Sequence, residues 1–167
     1  LSIAKGSQPV SPEVREQFLE PFISATTLAM SEWARTDVAV LDVFQQTFTQ
    51  SFGDLAALLR FKSENEEFII LGVTYPTASG LAKRVFDGVL DVVDPAMIDD
   101  CIGEMGNVIS GQAKALLAGT PYQFSFSTPL VARSDGPELS GMKGRDCLVI
   151  MFACDLGEFA VQLVMKR

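Results

Sequence analysis

The spacing of apolar positions changes several times along the chain, and each change marks a structural element. Ser11-Pro12-Glu13 reads as a helix start, with Ser as the cap and Pro at the first helical position, and an amphipathic pattern follows from Val14 to Trp33. Pro21 lacks an amide hydrogen and crowds the turn before it, so the pattern predicts a short helix over 12–19 and a second from Pro21 to Ala34. Val38 to Phe44, Asp54 to Phe61 and Phe68 to Tyr75 read as strands. Thr77 is a candidate cap for a helix over 78–90, and Asp94-Pro95 opens a longer helix expected to reach Ala118, where Gly119 and Pro121 stop it. Tyr122 to Arg133, Asp146 to Cys154 and Glu158 to Lys166 supply further strands, while the turn formers of Ser134 to Gly141 predict an exposed loop.

This order is nearly the same unit used twice. Phe61-x5-Glu67-Phe68 is matched by Phe152-x5-Glu158-Phe159 at an offset of 91, from 61 to 152, and each match starts at a hairpin and ends on the next strand. Glu20 and Glu104 stand at corresponding places on the two long helices, at an offset of 84. The expected class is therefore α+β: pseudo-duplicated units of a helix plus three antiparallel strands, forming one large sheet packed against long helices.

Within the longest predicted helix, residues 97–117 plotted at about 100° per residue gather Ile98, Cys101, Ile102, Met105, Val108, Ile109, Ala113 and Leu116 on one face. The opposite face carries Asp100, Glu104, Asn107, Gly111 and Lys114. Gly103, Gly106 and Gly111 each forfeit about 1 kcal/mol relative to Ala inside a helix. Since a missing Cβ permits close approach, they predict a groove or docking surface beside Glu104 and Asn107.

Composition narrows what such a site could do. With 167 residues, 48% apolar and 20% charged, the chain reads as one domain with a sizeable core and a flexible segment over 1–10. A net charge of −8 repels phosphate backbones and anionic lipid, so neither nucleic acid nor a membrane is an expected partner. No apolar run reaches the roughly 20 residues of a membrane span, and Leu1 to Val10 lacks the basic and apolar regions of an export signal. Cys101, Cys147 and Cys154 lie in apolar runs and are odd in number, which favours reduced core thiols and a cytoplasmic setting. The absence of histidine removes the commonest general base and metal ligand. Asp91, Asp94, Asp99, Asp100 and Glu104 lack the alternation and central glycine of a calcium loop, so no metal site is expected. Trp33 reads as core, and Glu64-Asn-Glu-Glu67 as a solvated hairpin tip.

Asp100-x3-Glu104-x2-Asn107, with Pro129 a little over twenty residues later, resembles the signature of the CheC, CheX and FliY family of response-regulator phosphatases. Pro21-Phe22 and Asp155-Leu-Gly-Glu-Phe159 are similar to that family's first helix and last hairpin, and the resemblance covers about residues 20–167. Each half of the family's duplicated fold can carry a Glu-x2-Asn site. Here Glu20-Pro21-Phe22-Ile23 puts Ile where the amide would stand, leaving one site, as in CheX-like members.

The resemblance implies a phosphatase that hydrolyses the aspartyl phosphate of a CheY-like response regulator in chemotaxis or other two-component signalling. Asn107 would orient the attacking water, accepting one hydrogen bond and donating another, and Glu104 would pair with the regulator's lysine. Asp100, Gly103, Gly111, Lys114 and Pro129 would contact the partner. No cofactor of its own is implied, since the magnesium belongs to the regulator. A homodimer is expected by analogy, with the apolar strands at 146–152 and 159–165 as a pairing edge. Two other readings stay open: a non-catalytic adaptor that binds a receiver, and a solvated helix face with no chemistry.

Overall fold

A computed structural model describes residues 7–62, 66–87 and 93–166. In chain order its elements are β1 (Gln8–Pro9), α1 (Pro12–Val14), α2 (Glu20–Ala34), β2 (Ala39–Thr47), β3 (Leu55–Arg60), β4 (Phe68–Val73), α3 (Tyr75–Val85), α4 (Pro95–Leu117), β5 (Leu130–Arg133), β6 (Asp146–Cys154) and β7 (Gly157–Val164). The strands form one seven-stranded sheet in the order β1-β2-β6-β7-β4-β3-β5, and every neighbouring pair is antiparallel.

The duplication read from the sequence is built into this order. Hairpins β3–β4 and β6–β7 meet through β4 and β7, where Ile70 pairs with Gln162 and Leu71 with Val161. Positions 91 apart, 70 with 161 and 71 with 162, therefore flank the centre of the sheet. The first strand of each half lies on the other half's hairpin, β2 against β6 and β5 against β3. This exchange moves β6 and β7 into the interior of the sheet. The open flanks belong to β1 with β2 and to β5, so the pairing edge expected at 146–152 and 159–165 does not exist.

Helices α2, α3 and α4 cover one face of the sheet, where Leu55, Ala57, Leu59, Leu71, Val161 and Leu163 meet the apolar sides of the helices. The alternate positions Ala56, Leu58, Ile70, Met151 and Ala160 are also buried, against Phe48, Leu139 and Met142. The segment expected as an exposed loop supplies that second cover: a 3-10 turn, Pro137–Met142, buries Leu139 and Met142. These stand three apart and so point the same way in a helix of three residues per turn. A strand as apolar as Leu55-Ala-Ala-Leu-Leu59 requires cover on both faces.

Other boundaries shift for local reasons. The first helix is not broken at Pro21; a wide turn, Arg15–Leu19, comes before it, and Glu20 N–H reaches back five residues to the Arg15 carbonyl. Widening the turn relieves the ring's clash with the carbonyl four residues back. Thr74 rather than Thr77 caps α3, accepting from Thr77 N–H at 3.4 Å, while the Thr77 hydroxyl donates to the Leu156 carbonyl at 3.1 Å. Residues 88–90 of that expected helix, Asp91, and Glu64 and Asn65 of the charge run lie outside the described residues. Between Tyr122 and Arg133 only Leu130–Arg133 is strand. Tyr122 and Phe124 instead stack on Phe18 and Phe61 at ring separations of 4.9 and 4.6 Å. The expected flexible start holds β1 within it, paired at Gln8 and Pro9 with Gln45 and Phe44, and residues 1–6 lie outside the described residues.

Two features bear on stability and reactivity. Burial pushes the Cys101 thiol up to about 11 and the Cys147 thiol up to about 12, so both stay protonated and inert at neutral pH, as core thiols do. Arg84 donates to Thr36 Oγ1 at 2.8 Å and forms a two-pronged pair with the Asp155 carboxylate, tying α3 to the end of α2 and to the β6–β7 turn. The hydrogen bond from Arg84 holds the Asp155 carboxyl below the usual aspartate range. A depressed folded-state pKa gives stability that is present above the unfolded value, about 3.9, and is lost as pH falls through the folded one. Asp155→Asn is expected to remove that share of the acid sensitivity, read as a flatter dependence of melting temperature on pH below about 4.

Candidate functional site

The geometry of the site begins with how α4 is seated. Asp94 caps it, its carboxylate accepting from Met97 N–H at 2.9 Å, and Pro95 occupies the first helical position. Ile98, Cys101, Ile102, Met105, Ile109 and Ala113 are buried as expected, and Val108 packs partly against the same core. Leu116 is the exception, 53% exposed, with Leu117 buried in its place. The row 101, 105, 109, 113 advances by four and arrives at 117, while 116 has turned toward solvent.

Along the outer face Asp100, Glu104 and Lys114 are exposed, and Asn107 and Gly111 are half-buried. Glu104 and Asn107 stand three apart on the helix, which places their Cβ atoms about 5–6 Å from each other. Among the described residues, no hydrogen bond or ion pair engages the side chain of Asp100, Glu104 or Asn107. The amide therefore retains both an acceptor and a donor for a water, and the carboxylate remains available to a cation.

Gly103 and Gly106 serve a different purpose from the one expected. A Cβ on Gly106 would lie 3.0 Å from Ala57 Cβ and 3.2 Å from Leu59 Cδ1, and one on Gly103 would lie 3.2 Å from Val131 Cγ2 and 3.9 Å from Pro129 Cγ. Both glycines are buried, and their clearance is consumed by the sheet beneath the helix rather than by a groove for a partner. Gly103 is thus a packing residue, with half-buried Pro129 beside it. Gly111 has looser surroundings, its nearest neighbour being Phe126 Cζ at 4.0 Å. Close seating on β3 gives the Glu104–Asn107 pair a rigid base.

In the first half, Glu20 pairs with Arg15 at 3.4 Å and Ile23, at the position corresponding to Asn107, packs against the core, so no amide stands beside Glu20 in that place. Among the described residues, no group of three or more carboxylate or thiol side chains is placed to hold a metal.

Two hollows flank the stripe. Near Lys114, a cleft of about 580 Å³ is walled by Phe61, Tyr122 and Phe124, with Lys62 and Glu67 also lining it; burial raises the Glu67 carboxyl above its ordinary value. Near the start of α4, a groove of about 500 Å³ runs between the helix and β5, lined by Tyr75, Asp99, Val131, Arg133, Pro137 and Glu138. Sequence reasoning missed this groove, since its walls come from separate segments and no local spacing announces it.

Comparison with known proteins gives a consistent picture. The family profile described as chemotaxis phosphatase CheX matches residues 55–153, more than half of the chain. The crystal structure of a chemotaxis protein CheX from Desulfovibrio desulfuricans is 24% identical over 92% of this chain and 99% of its own, with a TM-score of 0.75. A putative chemotaxis protein from Desulfovibrio vulgaris Hildenborough is 26% identical over 95% of this chain and 100% of its own, also with a TM-score of 0.75. The CheX-CheY-BeF3-Mg+2 complex from Borrelia burgdorferi matches at 17% identity over 90% of this chain and 98% of that one, with a TM-score of 0.67. No curated protein matches the sequence. Among the described residues, no helix is long and apolar enough to cross a membrane.

Proposed function

The chain belongs to the CheX family of chemotaxis phosphatases, and on that premise we propose that it hydrolyses the aspartyl phosphate of a CheY-like response regulator. The observation that carries this reading is the outer face of α4, where Glu104 and Asn107 project side by side with no partner among the described residues. The CheX-CheY-BeF3-Mg+2 complex from Borrelia supports a CheY-like regulator as the partner.

An aspartyl phosphate is an acyl phosphate with a good leaving group, and water attacking phosphorus opposite the P–O bond to the carboxylate gives inorganic phosphate and the free aspartate. The protein must supply a positioned water more than a strong base. The Asn107 carboxamide accepts a hydrogen from that water through its oxygen and donates through its nitrogen, fixing the lone pair toward phosphorus. Glu104 pairs with a cationic side chain of the regulator and locks the docked geometry. Asp100 and Lys114, at either side of the pair, contact the partner's rim, with Gly111 offering a low surface between them. The magnesium is the regulator's, the setting is cytoplasmic, and a homodimer would pair through an open flank at β2 or β5.

The reading is tested by phosphate release from a receiver charged with acetyl phosphate. Glu104→Gln keeps the shape and removes the charge, and a charge-assisted hydrogen bond contributes about 1.5–3 kcal/mol. It is expected to raise KM about tenfold or more while kcat falls less. An unchanged KM would detach Glu104 from docking.

A further inference from the structure

We infer that the groove at the start of α4 is a second contact for the regulator, taking a loop that carries an apolar side chain beside a basic one. The inference rests on the functional reading above and adds where the partner's orientation is set. A stable interface covers about 800 Å² on each partner, a patch about 16 Å in radius. Asp99 lies eight residues from Asn107, about 12 Å along the helix. A receiver centred on Asn107 therefore reaches the Asp99 wall of the groove.

The groove's chemistry defines what enters it. Its floor includes buried Leu55 and half-buried Val131, with Pro137 at one side. Its rim carries the Asp99 and Glu138 carboxylates against one guanidinium, Arg133, and Asp100 stands next to it on the helix. The opposite end of the same face has the reverse balance, with the Lys114 and Lys62 ammonium groups lining the other cleft against one carboxylate, Glu67. The docking face is thus negative at the start of α4 and positive at its end. A receiver with opposite polarity gains by docking in one direction and loses when reversed.

The experiment titrates a CheY-type receiver, activated with beryllofluoride and magnesium, against the full chain and two double variants. Asp99→Lys/Glu138→Lys reverses the groove rim; Glu16→Lys/Glu32→Lys makes the same change in net charge at exposed positions on the first helical segment and α2. The rim variant is expected to bind about tenfold more weakly, and the control to change less than about threefold at physiological salt. Arg133→Glu, which deepens the negative rim, is expected to leave binding unweakened. Thermal melts establish folding, and Glu138→Lys alone serves if the Asp99 change unfolds the chain.

Equal weakening by both double variants would reduce the effect to net charge and overturn the groove. So would unchanged binding by the rim variant. An altered sedimentation of the rim variant by itself would assign the groove to a second copy of the chain instead. If the wild-type chain binds but releases no phosphate, the phosphatase reading fails while a rim effect on binding still upholds the groove; if the wild-type chain does not bind, both fail.

Discussion

Asn107→Ala is expected to slow phosphate release from a charged receiver by about a hundredfold or more while leaving receiver binding within about twofold. The size follows from what the amide does. Alanine leaves water free to enter the site but unoriented, and loss of a positioned reactant or of one preorganised hydrogen-bond donor removes about two to three orders of magnitude in comparable sites. Binding survives because Asn107 is half-buried, presents little area, and leaves Glu104, Asp100 and Lys114 in place. Asn107→Asp keeps the shape but adds a negative charge facing the phosphoryl oxygens, so it should slow release and weaken binding together. The measurement is single-turnover phosphate release alongside a binding titration with the beryllofluoride-activated receiver. Equal rates for wild type and Asn107→Ala would remove the amide from the mechanism, and binding without any release would make the chain an adaptor.

The parts of this site legible in the sequence are those governed by one local period. Asp100, Glu104 and Asn107 share a face because α4 is a regular helix with a defined cap, and one angle per residue suffices to place them. Leu116 and Leu117 show where that reasoning loses precision, since a small drift at the end of a long helix exchanges which of two leucines is buried. The glycines show a deeper limit. Gly103 and Gly106 signal that something approaches the helix closely, but the identity of that neighbour, β3 with Pro129 and Val131, depends on a strand exchange that local spacing does not encode. The same exchange explains why β6 and β7, apolar enough to suggest an edge, lie in the interior. Turn formers at 134–141 concealed Leu139 and Met142, whose burial is dictated by the sheet face they cover. The groove at Asp99 and Glu138 has no sequence signal because long-range packing alone assembles it.

Gly106→Val is expected to destabilise the protein by about 3 kcal/mol, lowering the melting temperature by about 6–12 °C for a chain of this length. The first added carbon would stand 3.0 Å from Ala57 Cβ, tighter than ordinary contact, before the two branching methyls are counted. Ala57 cannot retreat, because β3 is held on both sides, by Leu71 across β4 and by Val131 across β5. The helix must lift instead, opening the packing of Ile102, Met105 and Ile109. Gly106→Ala sets a gain of about 1 kcal/mol in helix propensity against the same first contact, and should fall near neutral. Gly111→Ala, with nothing nearer than 4.0 Å, should retain that gain and melt higher than wild type. Lifting the helix also moves Glu104 and Asn107 together relative to β5, so Gly106→Val should lose receiver binding and phosphate release even at temperatures where it remains folded. If Gly106→Val melted and turned over like the wild type, α4 would not be seated on β3, and the rigid base on which the mechanism stands would be lost.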